Sequence, residues 1–196
     1  VLIMNKDEFC NNIGKNMVAS YLKNNIKIHF SIYALELDWS FDYCKTDKSN
    51  VHGIGVFATK DIPKNSFITI YPADIIYCNE DENDTIQYSK RRGNKCYRDI
   101  KNSYSASFSD KYTIIGDPEF NTDPNFLGHM INDAVKPIDN DIDNYLKNSE
   151  ELKNCGIMTS KYIGEAYLSL IISTRDIKES EELFISYDIG YWGINN

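Results

Sequence analysis

The sequence predicts a mainly β domain with short helices. Three segments carry that expectation. The first, Val51-His52-Gly53-Ile54-Gly55-Val56-Phe57-Ala58-Thr59-Lys60-Asp61-Ile62-Pro63, sets two glycines before a short apolar run and a turn. The second, Phe126-Leu127-Gly128-His129-Met130-Ile131-Asn132-Asp133-Ala134, ends near an amide and a carboxylate. The third reads strand, turn, strand: Ile171-Ile172-Ser173-Thr174-Arg175-Asp176-Ile177, then Glu181-Glu182-Leu183-Phe184-Ile185-Ser186-Tyr187. Short apolar runs bounded by turn residues favour strands over helices.

A chain of 196 residues suits one domain with a small extension, and 42% hydrophobic residues can fill its core. The net charge of -8 argues against a general nucleic-acid binder. An acidic surface either steers a basic polypeptide partner or serves only solubility. Five cysteines (Cys10, Cys44, Cys78, Cys96, Cys155) form no Cys-x-x-Cys pair. Neither a disulfide framework nor a zinc site is indicated. Reduced thiols, and hence an intracellular protein, nuclear or cytoplasmic, are expected. No apolar run approaches the ~20 residues of a membrane span, and Val1-Leu2-Ile3-Met4 does not read as a signal peptide.

Taken in order, residues 7–24 read as a helix: Asp7 can cap it, and Phe9, Ile13, Met17 and Tyr21 recur every four residues. That stripe either packs on the main domain or meets a partner. Ile26, Ile28, Phe30 and Ile32 alternate with polar neighbours as a half-buried strand does, and the register slips near Ala34. Residues 1–45 are thus an α/β extension and 46–196 the main domain. Residues 45–50 read as a polar loop. Val56-Phe57-Ala58 is a strand, and Phe67-Ile68-Thr69-Ile70-Tyr71 a second, stopped by Pro72. The charged stretch 79–102 carries a short helix at 85–91 and a solvated cluster, Lys90-Arg91-Arg92. Residues 104–108 and 112–115 form a hairpin. Asp123-Pro124, a cap and first-turn pair, starts a short helix carrying residues 129–134. Residues 136–154, rich in Asn and acidic side chains, read as a loop before the closing strands.

Several residues could carry chemistry. Gly53-Ile54-Gly55 lacks the third glycine and the following helix of a dinucleotide fingerprint. It is either a tight turn or a close backbone approach to a ligand. Asn132 with Asp133 either ends a helix or reads an adenine edge, an amino group or a ribose. His29, His52 and His129 are too scattered for a metal site or a Ser-His-Asp arrangement. Tyr187 ends an apolar strand and needs a hydrogen-bond partner there, as would any buried one of the 14 tyrosines. Tyr191-Trp192 either closes a pocket over a flat or cationic ligand or plugs the core.

In this order the motifs resemble the SET domain of protein lysine methyltransferases, over roughly residues 50–192. His52 to Ile62 match the family's opening motif. Ile70-Tyr71-Pro72-Ala73-Asp74 stands where Tyr-x-Gly-Glu is usual. His129-Met130-Ile131-Asn132-Asp133-Ala134-Val135-Lys136-Pro137 aligns with Arg-Phe-Ile-Asn-His-Ser-Cys-x-Pro. Thr174-Arg175-Asp176-Ile177 and residues 181–187 match the closing motif. The resemblance implies a β-clip fold whose C-terminal segment threads a pseudoknot. It implies transfer of a methyl group from S-adenosylmethionine to a protein lysine, by default on a basic histone tail. Carried over by position, Gly53, Ile54, Gly55, Val56 and Phe57 hold the cofactor's methionine part. Asn132, Asp133 and His129 hold its adenine and ribose side, Trp192 packs near the adenine or helps wall the channel, and Tyr187 is the catalytic tyrosine beside the methyl group. Tyr71, Tyr104 and Tyr191 are the candidates for the substrate channel. Asp133 replaces a histidine, Ala73 and Ser180 replace glycines, and no cysteine-rich zinc tail follows Cys155. The substitutions at Asp133 and Ala73 define the alternative, a catalytically weak or inactive module of the same fold that binds a basic peptide.

Overall fold

The computed structural model describes residues 41–72, 74–78, 86–87, 104–107, 112–137, 141–161, 167–187 and 189–192. The helix expected at 7–24, the strand at 26–32, Ala73 and the Lys90-Arg91-Arg92 cluster lie outside these residues. The described residues form three small antiparallel sheets. In the first, β1 (Cys44–Lys48) pairs with β2 (Ile54–Ala58). Strand β1 occupies most of the expected polar loop at 45–50. Its side chains after Cys44 stay largely in solvent while its backbone satisfies β2, and backbone pairing does not require apolar side chains. It also crosses position 45/46, where the extension was expected to join the main domain.

The second sheet has the order β3 (Phe67–Ile70), β9 (Tyr167–Ser173), β8 (Cys155–Lys161). Central β9 carries Leu170 and Ile171, both fully buried. The third has the order β5 (Ile86–Gln87), β4 (Ile75–Cys78), β7 (Tyr112–Ile115), β6 (Ser105–Ser107), and contains the expected hairpin. Residues 86–87 of the short helix expected at 85–91 pair with β4, and the rest of that stretch lies outside the described residues. Tertiary pairing outweighs weak local propensity there.

Two further segments differ from the sequence expectation. Residues 142–152 form an α-helix, α1 (Ile142–Leu152), within the expected loop. The Asp141 carboxylate accepts from the Asn144 N–H at 3.1 Å, so a residue read as a loop former is an N-cap. Tyr145 and Ser149, four residues apart, form the buried face. Conversely, the helix expected to carry residues 129–134 stops early. Asp123 caps a 3-10 turn at Pro124–Phe126, a second turn spans Gly128–Met130, and Ile131 is extended. Asn132 then pairs in parallel with Phe184.

That pairing places the closing segment. The Leu183 N–H donates to the Val56 carbonyl at 2.7 Å, and the Ile185 N–H to the Asn132 carbonyl at 3.0 Å. Residues 181–187 therefore run between β2 and the 131–133 stretch, the threaded arrangement implied by the resemblance. Fully buried Asn154 pins them: its Nδ2 donates to the Glu182 carbonyl at 2.8 Å and its Oδ1 accepts from the Phe184 N–H at 2.7 Å. Asn154→Ala strands both groups and should destabilise the domain by about 2–3 kcal/mol. Urea unfolding should show a lower midpoint at unchanged slope; an unchanged midpoint would mean that these bonds contribute nothing net. Beneath the segment, Val56, Ile62, Ile68, Leu127, Ile131 and Leu183 share one core with Cys44 and Cys155. Both thiols are free, and burial pushes Cys44 up to about 12, so it is no nucleophile.

Candidate active site

The glycine motif and the Asn132 amide meet at the start of β2. Gly53 has φ +52°, a left-handed conformation that a side chain disfavours. At Gly55 a Cβ would lie 2.1 Å from Glu182 Oε1 and 3.1 Å from Asn132 Nδ2, so only glycine fits that approach undisturbed. Asn132 Nδ2 lies within donating distance of the His52 carbonyl (3.0 Å), the Ile54 carbonyl (3.2 Å) and Glu182 Oε1 (3.2 Å). Three acceptors converge on an amide with two N–H groups. The rim of this motif therefore favours a cationic group. Val56 and Phe57 serve the fold instead: the Val56 side chain is fully buried, its carbonyl takes the Leu183 N–H, and Phe57 bridges Glu182.

Tyrosines gather on a cavity of about 770 Å³. Its lining includes Tyr71, His129, Ile131, Tyr187 and Tyr191, with Ser105, Ser107 and Thr113 from the third sheet. The Tyr187 hydroxyl donates to the Ile131 carbonyl at 2.8 Å, one residue before Asn132. The Tyr71 hydroxyl donates to the Tyr104 carbonyl at 2.9 Å. The Tyr187 and Tyr191 ring centroids are 4.3 Å apart. Burial holds the Tyr187 and Tyr71 phenols above their ordinary range, and raises Tyr191 as well. All three remain neutral at physiological pH, and because Tyr187 and Tyr71 spend their single hydrogens on carbonyls, their hydroxyl oxygens are left as acceptors. A neutral, partly apolar cavity walled by phenols disfavours a charged guest and rewards a neutral one that can donate hydrogen bonds.

The other three expected cofactor residues are His129, Trp192 and Asp133. His129 lines the tyrosine cavity, its Nε2 3.0 Å from the Asp117 carbonyl and its ring edge-on to Tyr71 and Tyr104. The extended turn at Ile131 separates it from Asn132. Trp192 packs edge-on to Tyr145, with ring centroids 6.1 Å apart, and near Tyr187 and Tyr191. Asp133 is 4% exposed, and its carboxylate accepts from Tyr145 (2.7 Å), Ser149 (2.9 Å) and the N–H groups of Tyr187 (2.8 Å) and Val135 (3.0 Å). Four internal donors occupy it, so the expected cofactor contact is not available to its side chain. The Tyr104 ring lies edge-on to His129, which lines the cavity.

Sequence reasoning also missed Glu182, Tyr145, Ser149 and Asn154. The i, i+4 spacing of Tyr145 and Ser149 after a capping Asp was a legible signal. Nothing local distinguishes Glu182 from Glu181.

A family model for the SET domain matches residues 53–188, more than half of the chain. No curated protein matches the sequence. Among solved structures, the chain is similar to a candidate histone methyltransferase of Plasmodium falciparum. That crystal structure is 18% identical, with a TM-score of 0.43, over 76% of this chain and 96% of that one.

Proposed function

This chain belongs to the SET-domain family, and on that premise we propose that it transfers a methyl group from S-adenosylmethionine to a lysine side chain of a protein. One observation carries the reading. The closing segment delivers Tyr187 to a phenol-walled cavity and ties its hydroxyl to the carbonyl next to Asn132, whose amide reaches the glycine motif. Two sites of opposite preference thus share the 131–132 backbone: an acceptor-rich rim for a cation and a neutral cavity for an uncharged amine.

The residues present fit the cofactor. Backbone at Gly53–Gly55 and the acceptors around Asn132 suit its ammonium end. When bound, S-adenosylmethionine supplies an electrophilic methyl group on a sulfonium. The chain's own residues have the complementary task. A lysine in water is protonated, with a pKa of about 10.4, and its ammonium has no lone pair to attack with. The neutral cavity favours the deprotonated amine. Tyr187, Tyr71 and the Ile131 carbonyl then aim it, and orientation provides the acceleration. The substrate is proposed to be a basic protein, a histone tail by default, in keeping with the net charge of -8.

This division of labour sets the pH profile. The phenols are held neutral by burial, so no falling limb should come from Tyr187 below pH ~10. The rate should rise with pH as the lysine deprotonates. A plateau or fall between pH 7 and 8 would contradict it. Calorimetric titration with S-adenosylmethionine tests the premise of cofactor use. Saturable binding is expected; absence of binding alongside retained peptide binding would replace the enzyme with the peptide-binding module.

A further inference from the structure

We propose that Asp133 is a positioning residue for Tyr187, acting together with Tyr145 and Ser149 of α1. The inference rests on the proposed methyl transfer. Tyr187 is tied at both ends to one short stretch of chain. Its hydroxyl donates to the Ile131 carbonyl at 2.8 Å, and its own N–H donates to Asp133 Oδ2 at 2.8 Å, two residues further on. The phenol and the backbone of the same residue are therefore fixed to residues 131–133.

The carboxylate is fixed in turn by the helix. The Tyr145 hydroxyl donates its single hydrogen between Asp133 Oδ2 (2.7 Å) and the Tyr187 carbonyl (2.9 Å). The Ser149 hydroxyl donates to Asp133 at 2.9 Å and lies 2.8 Å from the Ser186 hydroxyl, with which it shares a hydrogen bond. The Tyr187 backbone is thus held at its N–H and its carbonyl, and the preceding residue at its side chain. Buried hydrogen bonds to a charged acceptor are shorter and stronger than neutral ones, so the set is stiff. Asp133 touches neither cavity nor glycine rim through its carboxylate; it acts through Tyr187.

Asp133→Asn keeps size but turns one acceptor into a donor facing donors, which must expel the Tyr187 or the Val135 N–H. Tyr145→Phe keeps the ring against Trp192 and removes only the hydroxyl. Misplacement by about 1 Å lowers such a reaction about 100-fold, so kcat should fall about 30- to 100-fold in Asp133→Asn and about 10-fold in Tyr145→Phe. KM for S-adenosylmethionine should stay within about 3-fold, because uniform binding is untouched. Hydrogen exchange supplies a readout independent of turnover: the Tyr187 amide should lose protection in both variants. If Asp133→Asn fails to fold, Tyr145→Phe alone decides. Unchanged kcat and unchanged Tyr187 protection in Tyr145→Phe would overturn the proposal. A rise in KM for the cofactor at constant kcat would overturn it too, and make Asp133 a cofactor ligand. A wild type that transfers no methyl group would sink the functional reading. The exchange data would then still show whether Asp133 and Tyr145 hold Tyr187.

Discussion

Gly55→Ala lowers the affinity for S-adenosylmethionine by about 100-fold or more, a clash-sized loss of roughly 3 kcal/mol, while the domain stays folded. The added Cβ would stand 2.1 Å from Glu182 Oε1 and 3.1 Å from Asn132 Nδ2. Glu182 can swing its carboxylate aside, so the fold survives. In doing so it leaves the Asn132 amide and removes one of the three acceptors that favour a cation at the rim. The methyl group itself occupies the approach to the backbone. Gly53→Ala is the control. Its Cβ meets nothing within 4 Å, so only the positive φ opposes it. A stability loss of about 1 kcal/mol is expected there, with a much smaller change in affinity. Calorimetry and thermal unfolding of both variants separate the two effects. Wild-type affinity in Gly55→Ala would move the cofactor away from this motif.

Tyr187→Phe lowers the methyl-transfer rate about 100- to 1000-fold, a loss of the size seen when one aimed hydrogen-bonding group is removed from a reaction site. The ring keeps its contacts with Tyr191 and Trp192, and the backbone keeps its bond to Asp133. Only the hydroxyl bonded to the Ile131 carbonyl is lost. Cofactor affinity should therefore remain within about 3-fold, and the defect should fall on kcat. A rate within 3-fold of wild type would leave Tyr187 as a packing residue, with Tyr71 the next candidate.

The parts of the fold legible in the sequence are those with apolar runs set between turn residues: β2, β3, the hairpin of β6 and β7, and the closing segment. Segments whose form depends on distant partners were not. Strand β1 is polar after Cys44 and becomes a strand because β2 needs its backbone. Helix α1 was hidden by its Asn and Asp residues, one of which is its cap. His129 and Asn132 are three residues apart and looked like one site, but the chain changes from a 3-10 turn to extended backbone between them. Asp133 shows the same limit for chemistry. Three of its four partners lie 12, 16 and 54 residues away, so no local pattern reveals that it is enclosed. Tyr187 is singled out among many tyrosines by the family resemblance of the closing segment, since its place at a strand end alone fits a core tyrosine equally well; that segment brings it to the cavity.

The most direct test of the central claim is transfer of tritiated methyl from S-adenosylmethionine to core histones and to a cell lysate, by wild type and Tyr187→Phe side by side. The account predicts label on lysine of a basic protein with wild type and almost none with the variant. No label from a wild type that binds the cofactor would contradict the enzyme; equal label from both proteins would contradict the role given to Tyr187.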